Sequence, residues 1–110
     1  MIKLMILVKR NSELTHEAFR EHLSVNHARL VRDCPASAKY VRKYVQSFHV
    51  AGETDSGSFD GAAELWFDSL QDMGLFFADP DYLATVRPDE PRFADLEKCI
   101  FLTTEEVQVI

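Results

Sequence analysis

The sequence predicts an α+β fold of the order β-α-β-β-α-β, a four-stranded antiparallel sheet with its helices on one face. Three observations predict it: a nearly unbroken apolar run at Ile2–Val8, apolar residues at helical spacing after Thr15, and two further strand-like stretches separated by a glycine-rich loop. Strand, helix, strand, strand, helix, strand is the split βαβ order, whose usual solution is that sheet.

The first strand is broken only by Lys3, which marks a strand covered on both faces or central in its sheet. Asn11 to Leu14 is mostly polar. Thr15 then offers a capping oxygen, and Glu17 places an acid near the positive end of the helix dipole. Phe19, Leu23 and Leu30 follow, and at about 100° per residue they share one sector of a helix expected to run to Arg32. Pro35 cannot continue it, so Asp33 to Ser37 reads as a connection. Tyr40 to Val50, rich in Tyr, Val and Phe and free of Gly and Pro, is the expected second strand.

Gly52 to Gly61 lacks the Lys-Ser/Thr ending of a phosphate loop and reads as a mobile hairpin connection. Ala62 to Phe67 is the third strand. Ser69 is placed to cap a second helix over Leu70 to Ala78, ended by Asp79-Pro80-Asp81. A short helical turn at Tyr82 to Val86, an acidic, proline-bounded loop at Arg87 to Pro91, and a closing strand at Lys98 to Val107 complete the expectation.

At 110 residues with 46% hydrophobic side chains, the chain is expected to be one domain over 1–110. The net charge of −6 argues against nucleic acid as a partner, and the one basic cluster, Lys39, Arg42 and Lys43, reads as a solvated strand end. The longest apolar run, Leu4 to Val8, falls far short of the roughly 20 residues that cross a bilayer, and Lys9 and Arg10 end it before any signal-peptide pattern. No membrane association and a cytoplasmic location are expected. Cys34 and Cys99 are too few and too distant for a disulfide framework or a Cys-based zinc site, and read as reduced thiols.

The first strand lacks a clean polar side, and the third presents Ala63, Leu65 and Phe67 on one side with Ala62 and Trp66 on the other. The sheet face away from the helices therefore needs a cover. A second copy of the chain, paired sheet to sheet, is the simplest one.

The order of elements coincides with five strings: Val8-Lys9-Arg10; Thr15-His16-Glu17-Ala18-Phe19-Arg20-Glu21-His22; Val25-Asn26-His27-Ala28-Arg29-Leu30-Val31; Asp60-Gly61-Ala62-Ala63-Glu64-Leu65-Trp66-Phe67-Asp68-Ser69; and Asp89-Glu90 with Phe93. Together they resemble the EthD-like group of the dimeric α/β-barrel superfamily. The resemblance implies a ferredoxin-like fold, a homodimer with two sheets packed into a barrel, and a pocket between each sheet and its helices. Relatives of this kind include muconolactone-type isomerases, aromatic polyketide cyclases and monooxygenases, dehydratases of phenolic pigments, and an accessory protein of ether degradation.

His27 is the first catalytic candidate, carried chiefly by the resemblance at Asn26-His27-Ala28. On an α-helical wheel it borders the apolar stripe, about 60° from its middle, and an imidazole can move protons near neutral pH. A partly buried His bonded to a carbonyl is the structural alternative. His22 lies on the other flank, roughly 140° from His27 on a helix, so the two are not expected to share a metal; with His16 it reads as core or surface, and no metal site is expected. His49 and Tyr44 point to opposite sides of the second strand, and either could reach the pocket. Trp66, Phe19, Phe77 and Phe93 are the candidate substrate-binding wall for a small hydrophobic or aromatic ligand, with plain core as the alternative. Glu64 reads as a base or, rather, as an interface ion pair with Lys3 or Arg42. Asp89, Glu90 and Asp95 read as a solvated acidic loop that could cover the pocket mouth.

No cofactor site is visible. The sequence thus suggests a cofactor-independent enzyme of isomerase, dehydratase or oxygenase type, with a non-catalytic carrier or accessory protein as the alternative and a ligand-free dimer module as the third reading.

Overall fold

In the computed structural model, which describes residues 1–50, 52 and 59–110, four strands form one antiparallel sheet in the order β2-β3-β1-β4. They are β1 (Ile2–Val8), β2 (Val41–Phe48), β3 (Gly61–Phe67) and β4 (Ile100–Thr104). The apolar run of β1 is explained by its place between β3 and β4. Leu4 lies opposite Leu65 and Ile6 opposite Ala63, so the period of two puts both pairs on one face. Tyr44 and Gln46 of β2 lie opposite the same two β3 residues and join that face. Gly61 pairs with Phe48, and a Cβ there would come within 2.7 Å of the Ser47 carbonyl, so the close approach of β2 requires a glycine.

Helices cover this face. The first helical stretch is continuous but not uniform: α1 (His16–Glu21) passes into a π-helical segment, His22–His27, and then α2 (Ala28–Asp33). Thr15 caps it through a hydrogen bond from the Ala18 amide. Beyond Cys34 the chain turns through α3 (Pro35–Tyr40), where a connection was expected; Pro35 starts this helix after ending the previous one, since a first-turn proline lacks only an orphan N–H. Helix α4 (Leu70–Ala78) is capped by Ser69, as its sequence predicts. The acidic loop is more regular than expected: Tyr82–Val86 is π-helical, Arg87–Asp89 is a 3₁₀ turn, and α5 (Glu90–Phe93) follows. A 3₁₀ turn at Leu96–Lys98 shortens the closing strand to Ile100–Thr104. The expected loop over Gly52 to Gly61 lies largely outside the described residues.

The core has two adjoining parts, one around Phe67, Phe76, Tyr82 and Val86, the other around Val8, Phe19, Leu23 and Phe93. Among the described residues, no helix covers the opposite face of the sheet. There Lys3 pairs with Glu64 at 2.8 Å, Lys43 stands 4.8 Å from the centre of the Trp66 ring, and the Trp66 indole N–H donates to Glu106. Arg42 pairs instead with Asp68. Leu102 on this face is 58% exposed. Among the described residues, no helix is long and apolar enough to cross a membrane.

Candidate functional site

Between the sheet and the helices lies a cavity of about 430 Å³, a volume suited to a small organic ligand. Its floor is Leu4, Ile6, Val8, Ala63 and Leu65 of the sheet; its walls include Phe76, Phe77, Val86 and Phe93. Leu96, Arg87 and the exposed ring of Phe101 stand toward solvent at its rim. Apolar lining predominates because the inward positions of β1 and β3 carry no polar side chain.

Few polar groups reach this space, and each is held. His27, 6% exposed, packs its ring 4.7 Å from Phe93. Its Nδ1–H donates to Oδ2 of Asp89 at 3.0 Å, while Nε2–H of His22 donates to Oδ1 of the same carboxylate at 2.8 Å. A carboxylate only accepts, so the proton of a neutral His27 sits on Nδ1 and the lone pair on Nε2. Among the described residues Nε2 has no hydrogen-bond partner. Burial pushes the His27 pKa below its ordinary value near 6.5, against the upward pull of Asp89, so the neutral base is favoured.

The convergence of His22 and His27 depends on the π-helical segment. In an α-helix the two would diverge by roughly 140°. Here the turn closes with i to i+5 hydrogen bonds, which stack residues five apart, and both rings meet Asp89. The expectation that the pair points apart is thus corrected by the local backbone. The same widening sets Phe19, Leu23, His27 and Val31, each four residues on, along the buried side.

Asp89 is the site residue least visible in the sequence. Expected in a solvated acidic loop, it is 7% exposed, because the 3₁₀ turn after Val86 carries it inward beneath the π segment. Glu90 follows it and accepts from the Tyr82 hydroxyl, with Arg87 Nε 3.3 Å from its other oxygen. Burial raises the pKa of both Glu90 and Tyr82. This second polar group is closed upon itself.

The structure brings His27, Tyr44, Phe77 and Phe93 to the cavity wall. Phe19 stands behind that wall, between Phe48 and Phe93 at 6.1 and 6.4 Å. Trp66 lies on the far face of the sheet, opposite Lys3 in register, and does not line the cavity. His49 follows the end of β2; its Nε2 is buried and has no hydrogen-bond partner among the described residues, and it too is absent from the wall. The side of β2 open to the pocket is therefore that of Tyr44. His16 sits at the surface 3.1 Å from Asp60. Among the described residues no group of three or more His, Cys, Asp or Glu side chains is arranged to hold a metal.

The sequence profile of the EthD domain matches residues 11–97. Among solved structures, an EthD family protein from Bacillus halodurans aligns over 97% of this chain and 99% of its own at 22% identity, with a TM-score of 0.73. The hydroxynitrile lyase of Passiflora edulis aligns over 99% and 95% at 15% identity, TM-score 0.71. A protein from Bacteroides fragilis described as dimeric, with a ferredoxin-like fold and unknown function, aligns over 96% and 95% at 15% identity, TM-score 0.70. At these identities the likeness establishes the ferredoxin-like fold. No curated protein gives a significant match.

Proposed function

This chain belongs to the EthD domain family, and from that premise we propose that it is a homodimeric, small-molecule-binding enzyme that needs no cofactor and moves a proton on a small cyclic or aromatic compound. The observation that carries the reading is the His27–Asp89 pair at the wall of an apolar cavity. Asp89 holds the ring orientation and tautomer and stabilises the imidazolium once a proton is taken, while Nε2 meets the ligand. The aromatic and aliphatic wall supplies the binding energy for a flat apolar body, with Phe77 and Phe93 as contacts. Isomerisation, loss of water and formation of a substrate anion for direct reaction with oxygen all begin with that proton transfer. That a hydroxynitrile lyase shares the fold supports an enzymatic use of it.

Self-association is supported by the bare sheet face, with Leu102 exposed on it, and by similar folds described as dimeric. In the dimer Trp66 and the Lys3–Glu64 pair belong to the interface rather than to the pocket.

The test is a ligand screen by thermal shift followed by turnover assays on His27→Ala. A fall in turnover of about 10²–10⁴-fold with modest loss of binding is the expected result. Ligand binding with no turnover in the wild type would establish a carrier instead.

A further inference from the structure

The cavity wall carries a donor, Tyr44, as well as the base His27, and that donor is prepared by a residue outside the wall. Gln46, two residues along β2 from Tyr44, places its amide nitrogen 2.9 Å from the Leu23 carbonyl and 2.8 Å from the Tyr44 hydroxyl oxygen. Because a carbonyl oxygen only accepts, the Gln46 amide can adopt no other orientation, and both of its N–H groups are taken. Tyr44 is thereby made an acceptor toward Gln46. Its own proton has no acceptor among the described residues. Leu23 belongs to the π-helical segment that carries His22 and His27, so the brace ties the donor and the base to one another through two elements.

From this arrangement we infer that Tyr44 donates a hydrogen bond to a carbonyl oxygen of the substrate while His27 removes the acidic hydrogen beside it, so that the substrate class is an enolisable cyclic ketone. Gln46 is the positioning residue of the donor. This rests on the reading of His27 as the base. In the step, the C–H bond α to the carbonyl breaks and its electron pair becomes the C=C bond of the enolate. The carbonyl π pair moves onto oxygen, where Tyr44 holds it, and the proton bonds to Nε2 of His27. Return of a proton from the imidazolium to the same carbon re-forms the ketone with its hydrogen exchanged. Where the enolate is conjugated with a ring C=C, return to the far carbon of that dienolate shifts the double bond, and neither outcome needs an oxidant or reductant. Burial raises the Tyr44 pKa, which keeps the donor protonated at neutral pH.

The experiment compares 2-tetralone, an enolisable cyclic ketone, with tetralin, the hydrocarbon of the same shape. Calorimetry measures binding, and NMR in D₂O measures α-hydrogen exchange. The wild type is expected to bind the ketone at least about tenfold more tightly and to accelerate exchange. Tyr44→Phe should bring the two affinities together and slow exchange by about 10²–10³-fold. Gln46→Leu should do the same in part, with tetralin binding unchanged, and should add nothing in the Tyr44→Phe background, since it acts only through that hydroxyl. Equal binding of ketone and hydrocarbon by the wild type, or unchanged exchange in Tyr44→Phe, overturns the inference. If exchange survives His27→Gln as well, the proton-transfer reading itself has failed, and the two failures are distinguishable.

Discussion

His27 combines burial with a charged neighbour, and the two oppose each other in its titration. Burial is the larger influence and lowers its pKa; Asp89 raises it and His22 lowers it further. A base with a depressed folded pKa takes up its proton more readily in the unfolded chain. Its contribution to stability is therefore complete above about pH 6.5 and is lost as pH falls below that value through the folded pKa. The acid limb of kcat/KM should accordingly lie below 6.5, and Asp89→Asn, which removes the upward influence, should move it lower still; an NMR titration of the His27 ring checks both. A limb above 6.5 would contradict the assignment of His27 as the base. Gly61 poses a steric question instead. With the Ser47 carbonyl 2.7 Å from any Cβ placed there, Gly61→Ala should cost about 1–3 kcal/mol in urea unfolding, because a backbone atom in a paired strand yields little.

At the scale of elements, the π-helical segment is the feature on which the site depends. It lets His22 and His27 share a carboxylate and leaves the Leu23 carbonyl within reach of Gln46. Deleting the exposed Ser24 would restore α-helical spacing and rotate Phe19 and Leu23 by about 100° relative to His27 and Val31. The expected outcome is a lower urea midpoint and loss of 2-tetralone binding, read by chemical unfolding and calorimetry. An unaltered affinity would show that the segment is incidental to the site. A trace of this feature is present in the sequence, where Phe19, Leu23, His27 and Val31 recur every four residues. A strict period of four drifts around an α-helix but stacks on a wider one, so that pattern, rather than the stripe ending at Leu30, was the available signal.

For the whole molecule, the proposed pairing rests on the uneven treatment of the two sheet faces. One face is closed by helices around the cavity; the other leaves Leu102 and the Trp66 surround to be covered. Light scattering is expected to give a mass near twice 12.6 kDa, and Leu102→Lys should shift the protein toward the monomer. A monomer at all working concentrations would contradict the proposed pairing. The order of elements, the caps at Thr15 and Ser69, and the sides of β1 and β3 were legible in the chain itself, because they arise from spacing and from groups a few residues apart. His27 as a candidate came from the resemblance at Asn26-His27-Ala28 rather than from spacing. What only the tertiary structure decided is that Tyr44 rather than His49 lines the pocket, that Trp66 stands on the far face, and that Asp89 is buried beneath His27. Each of these depends on partners far away in sequence: 62 positions separate His27 from Asp89. Local periodicity specifies that a strand has two sides, and only packing determines which of them the helices cover.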